Sequence, residues 1–319
     1  MPLILTQSDL RPLFNDSAAM DDAFAAIETG FREFEDGKAP RFPTEELPVS
    51  GPQRSVRLNM ASSPSFGVSL RTYPNQQRTN PDSHVNVLFD PEDGRLLAII
   101  SGDELNMLRT AIPVGAAARR LARDGARVLA MIGSGRQARG QAYTIFHGLP
   151  DLEKIVVFSP TEAHRNAYAE EMAPQLGIHI EAVDTCEAAL AEADVIALNA
   201  SARQPVFEPE WMQPGALALS INSAQIPPAL LNQARVILGY KSDRPGQPYA
   251  SAIEGGWSFE RETTSFGEVV SGARPGRESQ DERIVADMLG MGVWDVALLH
   301  WAYHWALDHE VGTDFHLSD

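Results

Sequence analysis

Cysteine is nearly absent: Cys186 is the single one in 319 residues. An internal disulfide framework is excluded, and the chain fits a reducing compartment. Long apolar runs are missing too; none approaches the roughly 18–20 residues that cross a bilayer as a helix. The opening stretch, Met1-Pro2-Leu3-Ile4-Leu5-Thr6, has no basic segment ahead of its apolar residues, so no secretory leader is expected there. The expected location is the cytoplasm. Positive charge is scarce: 26 Lys and Arg stand against 43 Asp and Glu, a formal charge of −17. No basic stripe is visible, which argues against nucleic acid as a partner. Arg41, Arg54, Arg57, Arg71 and Arg78 nonetheless fall early in the chain. They are either scattered surface charges or the lining of an anion site inside an acidic protein. No metal site is expected.

What is present is two kinds of patterning. Ala19, Met20, Phe24, Ile27, Phe31 and Phe34 recur at helical spacing between Asp16 and Glu35, and Gly37 follows as a stop signal. From Arg54 to Ile100 the runs become short and alternating: Ser55–Met60, Phe66–Tyr73, Val85–Phe89 and Leu96–Ile100. Asp90-Pro91-Glu92-Asp93-Gly94 is a turn signal between two of them. This half reads as an antiparallel sheet with a helix before it. After a helical stretch over Asp103–Arg123, apolar runs alternate with helical ones. The runs are Val128–Ile132, Ile155–Phe158, Ile178–Val183, Val195–Asn199, Ala216–Ile221 and Val236–Leu238; Gln137–His147 and Glu162–Gln175 are helical. That alternation predicts a parallel sheet with right-handed crossovers. Arg244–Gly256 reads as the longest loop, and Gly292–His309 as an aromatic-rich apolar helix at a core or subunit interface. The predicted class is α/β: a Rossmann-type domain over 114–291, and a second α+β domain built from 1–113 with 292–319.

The sharpest motif is Gly133-Ser134-Gly135-Arg136-Gln137-Ala138, placed directly after the strand pattern Val128–Ile132 and before a helix. The first glycine permits a tight turn. The second lets a pyrophosphate approach the backbone, and a small third residue lets helix and strand pack closely. Open N–H groups at the helix start then meet phosphates. A nicotinamide dinucleotide is the implied cofactor. The next strand ends Val157-Phe158-Ser159-Pro160-Thr161, without the acid that usually holds the ribose hydroxyls of NAD. Ser159, Thr161 and Arg165 are candidates to meet a 2′-phosphate, so NADP is preferred over NAD. Asn199, Ala200 and Ser201, after the fourth run, are further candidate cofactor residues.

Leu108-Arg109-Thr110-Ala111 ahead of this glycine turn resembles the "LRTAA" and "GxGxQA" stretches of the ornithine cyclodeaminase/mu-crystallin family. The resemblance continues through Leu88-Phe89-Asp90, Ala193-Asp194-Val195-Ile196, Pro205-Val206, Trp211-Met212-Gln213-Pro214-Gly215, Gly276-Arg277 and Gly290 to Asp295. It implies a homodimer whose second domain carries dimer contacts and substrate groups. It also implies hydride transfer at the α-carbon of an amino or imino acid, the substrate and partner expected here. By resemblance Arg109 binds the substrate carboxylate, and a guanidinium suits it because its fork donates two parallel hydrogen bonds. Arg41, in Pro40-Arg41-Phe42-Pro43, matches a second cation. Thr110, beside Arg109, joins the candidate cofactor residues only through this resemblance.

Two departures limit the resemblance. Ser69, in Gly67-Val68-Ser69, stands where the family has a carboxylate-binding lysine. Arg71 lies two residues on, on the same strand face, but it stays protonated and is a poor general acid. Second, Asn222-Ser223-Ala224-Gln225 carries no acid where ornithine cyclodeaminases place a catalytic aspartate. His84 is a candidate proton relay or a hydrogen-bonded sheet-end histidine. Asp287 and Asp295 match family acids and read as structural. Three functions stay open: an NAD(P)H-dependent imine or amino-acid oxidoreductase using Arg109, Arg71, Arg41 and His84; a true ornithine cyclodeaminase; or a non-catalytic binder of NADPH or a small acid.

Overall fold

A computed structural model describes residues 1–49, 55–74, 83–241 and 246–317, with Phe14 and Asn15 described in backbone only. Arg54, Arg78, Asp82 and the start of the 244–256 stretch lie outside the described residues. The chain divides into two compact units, Met1–Arg109 with Met291–Asp319, and Thr110–Gly290.

The first unit is a seven-stranded sheet with helices. Its strands are β1 (Leu3–Leu5), β2 (Glu45–Pro48), β3 (Ser55–Ser63), β4 (Gly67–Pro74), β5 (Val85–Phe89), β6 (Leu96–Ser101) and β15 (Thr313–Asp314). The order is β15-β1-β6-β5-β4-β3-β2, antiparallel throughout except for the β1–β6 pair. The four runs expected between 54 and 100 are thus β3 to β6. Their helices are α1 (Gln7–Leu10), α2 (Ser17–Glu35) and α10 (Gly292–Asp308), joined by α3 (Gly102–Leu121), which begins here. Asp16 caps α2 by accepting from the Ala19 amide at 3.1 Å, satisfying one of the open N–H groups of the first turn. The apolar stripe of α2 is buried, and α10 packs against both α2 and β3. Gly30 permits the α2–α10 approach: a Cβ there would sit 3.2 Å from Val293.

The second unit is an eight-stranded parallel sheet. Its strands are β7 (Val128–Ile132), β8 (Lys154–Phe158), β9 (His179–Ala182), β10 (Val195–Leu198), β11 (Leu217–Ser220), β12 (Arg235–Leu238), β13 (Thr263–Ser265) and β14 (Ile284–Asp287). The order is β13-β12-β14-β11-β10-β7-β8-β9, with every pair parallel. Helices α4 (Arg136–Gly148), α5 (Glu162–Leu176), α6 (Cys186–Leu190), α7 (Tyr249–Glu254), α8 (Phe259–Glu262) and α9 (Phe266–Val270) connect them. β10 and β11 are buried at every position, as expected for strands covered on both faces. The Asp194 carboxylate accepts from the Arg127 and Val128 amides at 2.6 and 2.9 Å, pinning the start of β7 to that of β10. Among the described residues no helix is long and apolar enough to cross a membrane.

Two sequence expectations change. The 244–256 stretch is not loop throughout, since 249–254, Tyr-Ala-Ser-Ala-Ile-Glu, forms the short helix α7; Gly246, Pro248, Gly255 and Gly256 around it masked the signal. β13 and β14 were not anticipated. β13 is polar and β14 is a short run next to charged residues, yet β14 sits between β11 and β12. Both the expected domain boundary after residue 113 and the observed break after Arg109 fall inside α3.

Candidate functional site

In the second unit, the chain reverses sheet direction at β7: β8 and β9 lie on one side and β10 on the other. Such a switch point leaves a crevice beyond the strand ends, where ligands of open α/β sheets bind. The cavity here has a volume of about 740 Å³. It is lined from the end of β7 by Gly133, Ser134 and Gly135, beyond β8 by Ser159, Pro160 and His164, and beyond β10 by Asn199 to Ala202 with Gln204 to Val206.

The glycine turn fits a dinucleotide by its geometry. Gly133 has φ +111°, and a Cβ there would lie 2.5 Å from the Asn199 carbonyl oxygen. Only glycine closes that turn. A Cβ on Gly135 would meet nothing within 4 Å, so the backbone stands open to the cavity. Gly135 caps α4 without any side-chain hydrogen bond, leaving the amides of the first turn for an anion. Arg139 Nη1 donates to the Ser134 carbonyl at 2.7 Å and braces the turn from behind. Ala138 is fully buried, where its small side chain lets α4 pack close. Asn199 Nδ2 donates to Gln141 at 2.7 Å, while its buried Oδ1 has no partner. A bound nucleotide amide or hydroxyl would satisfy that oxygen.

The other candidate cofactor residues are placed less directly. Arg136, Gln137 and Ala138 form the first turn of α4 and do not line the cavity. Thr161 is exposed at the N-cap of α5. Arg165 is buried; its Nη1 donates to the Ser159 carbonyl at 3.2 Å and its Nη2 to Asp184. Thr110 follows Arg109 directly in α3 and is the first residue of the second unit. Sequence reasoning missed His164, Ala202 and Gln204, which belong to irregular or helical segments without a motif of their own.

The first unit gathers a buried polar group. Arg71 on β4, Asn106 and Arg109 on α3, and Asp295 on α10 line one small cavity, and His84, before β5, joins the group through Arg71. Arg71 Nε donates to His84 Nε2 at 3.1 Å, and Arg71 Nη2 donates to Asn106 Oδ1. Arg71 Nη1 faces both Asp295 oxygens at 3.4 and 3.5 Å. Arg109 donates to the same Asn106 oxygen from Nε and Nη2 at 3.2 and 3.1 Å, and its Nε lies 3.6 Å from Asp295. Two guanidiniums therefore converge on one amide oxygen and one carboxylate. Because His84 Nε2 accepts, its ring proton sits on Nδ1, and a doubly protonated ring could not make this contact. Gly102 is required beside it: a Cβ there would lie 2.5 Å from the His84 ring.

Ser69 is buried on the same face of β4 as Arg71, so no cation stands at that position. Arg41 lies in the exposed segment 40–44, outside the buried group. Asn106 was missed by sequence reasoning; its one signal is the i, i+3 spacing to Arg109, which puts both on one helix face. Asp295 read as structural; its carboxylate faces both arginines. In the second unit, Asn222 is engaged structurally, donating to the Ala202 carbonyl at 3.1 Å. Its loop carries no acid, but Asp287 at the end of β14 is bonded by Tyr249 Oη at 2.7 Å. Burial pushes the Asp287 carboxyl up to about 6, against the lowering effect of bonds from Ser223 and Tyr249.

Known proteins resemble this chain over nearly its whole length. The sequence pattern of the Ornithine cyclodeaminase/mu-crystallin family matches residues 9–310. The chain is similar to the iminosuccinate reductase of Paracoccus denitrificans, 30% identical over 93% of this chain and 94% of that one. It is similar also to a Delta(1)-pyrroline-2-carboxylate reductase of Bacillus cereus, 26% identical over 97% of this chain and 98% of that one. Among solved structures, the Paracoccus enzyme in complex with NAD+ superposes with a TM-score of 0.85 at 26% identity, covering 99% of each chain. An archaeal alanine dehydrogenase dimer with bound NAD gives 0.84 at 26% identity, again over 99% of each.

Proposed function

The chain belongs to the ornithine cyclodeaminase/mu-crystallin family, and from that premise we propose that it is an NAD(P)-dependent oxidoreductase that reduces a carboxylate-bearing imine at the α-carbon. The observation that carries the reading is the pair of guanidiniums, Arg71 and Arg109, drawn together around Asn106 in a small buried cavity. Relatives that reduce pyrroline-2-carboxylate and iminosuccinate support the substrate class.

The nicotinamide, when bound, supplies the hydride. This chain's residues do the rest. Gly133 and Gly135 bring bare backbone to the pyrophosphate, and the first amides of α4 meet its charge. Arg109, with Arg71, holds the substrate carboxylate through charge-assisted hydrogen bonds. Asn106 fixes the relative orientation of the two forks, and His84 positions Arg71 by accepting from its Nε. Asp295 offsets one of the two positive charges, so the group keeps room for one carboxylate charge. No side chain here need give a proton. An imine that arrives as iminium already carries it; hydride addition to the α-carbon turns C=N into C–N and leaves that proton on the amine. This accounts for Ser69 in place of a lysine.

The cofactor is NADPH at least as readily as NADH, because Ser159 offers no carboxylate to repel a 2′-phosphate. Two copies form a homodimer, as in the archaeal relative, and the location is the cytoplasm. Ornithine cyclisation is not favoured, since Asn222 and its neighbours carry no acid to hold a distal amine.

The test is oxidation of NADPH and NADH, followed by absorbance, with pyrroline-2-carboxylate, its six-membered homologue and oxaloacetate plus ammonia. Turnover of at least one is expected, with no proline or ammonia from ornithine and catalytic NAD. Tight nucleotide binding with no turnover of any imine would overturn the reading.

A further inference from the structure

We propose that Asp184 sets the cofactor preference by holding Arg165 away from the nucleotide cavity. The inference rests on the nucleotide reading above and concerns only residues of the second unit.

Arg165 stands in the first turn of α5, next to His164, which lines the cavity. Its Nη1 already donates to the carbonyl of Ser159, the cavity residue at the end of β8 where an acid would mark an NAD site. The guanidinium is thus one hydrogen bond from the wall that a 2′-phosphate would meet. Its second fork nitrogen is taken by Asp184, in the segment after β9. The two partners differ sharply in exposure: the Arg165 side chain is 9% exposed and that of Asp184 is 89% exposed. An exposed carboxylate gains little from such a pair. A 2′-phosphate, with more charge and three acceptor oxygens, is the stronger partner for a guanidinium fork. Asp184 therefore acts as a weak competitor: it neutralises Arg165 in the free protein and must be displaced before the arginine turns to a phosphate. NADH, with a bare 2′-hydroxyl, does not call on Arg165 and is indifferent to the pair.

The measurement is the dissociation constant of NADPH and of NADH, by titration of reduced-nicotinamide fluorescence in the absence of substrate. The proteins are wild type, Asp184→Ala, Arg165→Gln and the double variant, a cycle that isolates the coupling between the two residues. Asp184→Ala is expected to tighten NADPH about fivefold, equivalent to about 1 kcal/mol, and to leave NADH within about twofold. The gain should vanish on the Arg165→Gln background. It should also shrink as salt is raised, since the freed interaction is between charges near the surface. A gain that survives Arg165→Gln would mean simple removal of a negative charge and would overturn the proposal, as would equal change or no change for both nucleotides. If wild type bound neither nucleotide, the nucleotide reading itself would fail, a result distinct from any of these.

Discussion

Replacing Asp295 by Asn tests the buried group as a charge-balanced site. The substitution preserves shape and one carbonyl oxygen but removes the negative charge between Arg71 and Arg109. Arg71 and Asp295 are 3% and 5% exposed, so water cannot take over the compensation. Breaking a buried pair in this way costs roughly 3–5 kcal/mol, because the remaining charge is stranded. The contacts here, at 3.4–3.6 Å, are longer than the roughly 2.7–2.9 Å of a strong charge-assisted bond. The lower end, about 3 kcal/mol, is therefore expected. For a chain of this length unfolding as one body, an unfolding entropy of about 2.1 cal/mol/K per residue converts that loss to a Tm drop of about 4–5 °C. The second half of the prediction is specific to a carboxylate site. An added small carboxylate such as L-proline supplies the missing charge, so it should raise the Tm of the Asp295→Asn protein more than that of wild type. Differential scanning fluorimetry with and without L-proline reads both halves. An unchanged or higher Tm without ligand, or an equal ligand response in the two proteins, would refute the charge-balance argument.

Two other substitutions probe the chemistry. Arg109→Ala should lower kcat/KM for any imine substrate about 10- to 100-fold, the loss of a charged hydrogen bond of roughly 1.5–3 kcal/mol, and steady-state kinetics with an unchanged kcat/KM would contradict it. Asp287→Asn should stabilise the protein in a pH-dependent way. Burial raises the folded carboxyl to about 6, above an unfolded value of about 3.9, so ionised Asp287 costs stability: nothing below about pH 4, growing through pH 6, and up to roughly 3 kcal/mol above it. Urea unfolding at pH 8 and pH 4.5 should show the variant's advantage at the higher pH and little at the lower; a gain independent of pH would rule out this cause.

Much of the architecture was legible in the residues because it rests on local periodicity. The stripe from Ala19 to Phe34 could bury one face only as a helix, and in the structure Asp16 caps its start. Val128–Ile132 followed by Gly133 and Gly135 needed a strand, a turn with positive φ and an open helix start in that order. Strands without such a signature escaped. Thr263–Ser265 and Ile284–Asp287 owe their conformation to neighbours in the sheet, and Tyr249–Glu254 is helical among turn-forming prolines and glycines.

The sequence by itself determined that a dinucleotide turn exists, that an arginine stands in the "LRTAA" position, and that Ser69 carries no charge. These are statements about residue type and adjacency along the chain. Only the tertiary structure decided what each charge meets. It brought Arg71, Asn106, Arg109 and Asp295 from two helices and a strand into one buried group, and left Arg41 exposed. It also turned Arg165 toward Asp184 and the Ser159 carbonyl. Electrostatic partnership depends on distance and dielectric in space, and neither can be read from spacing along the chain.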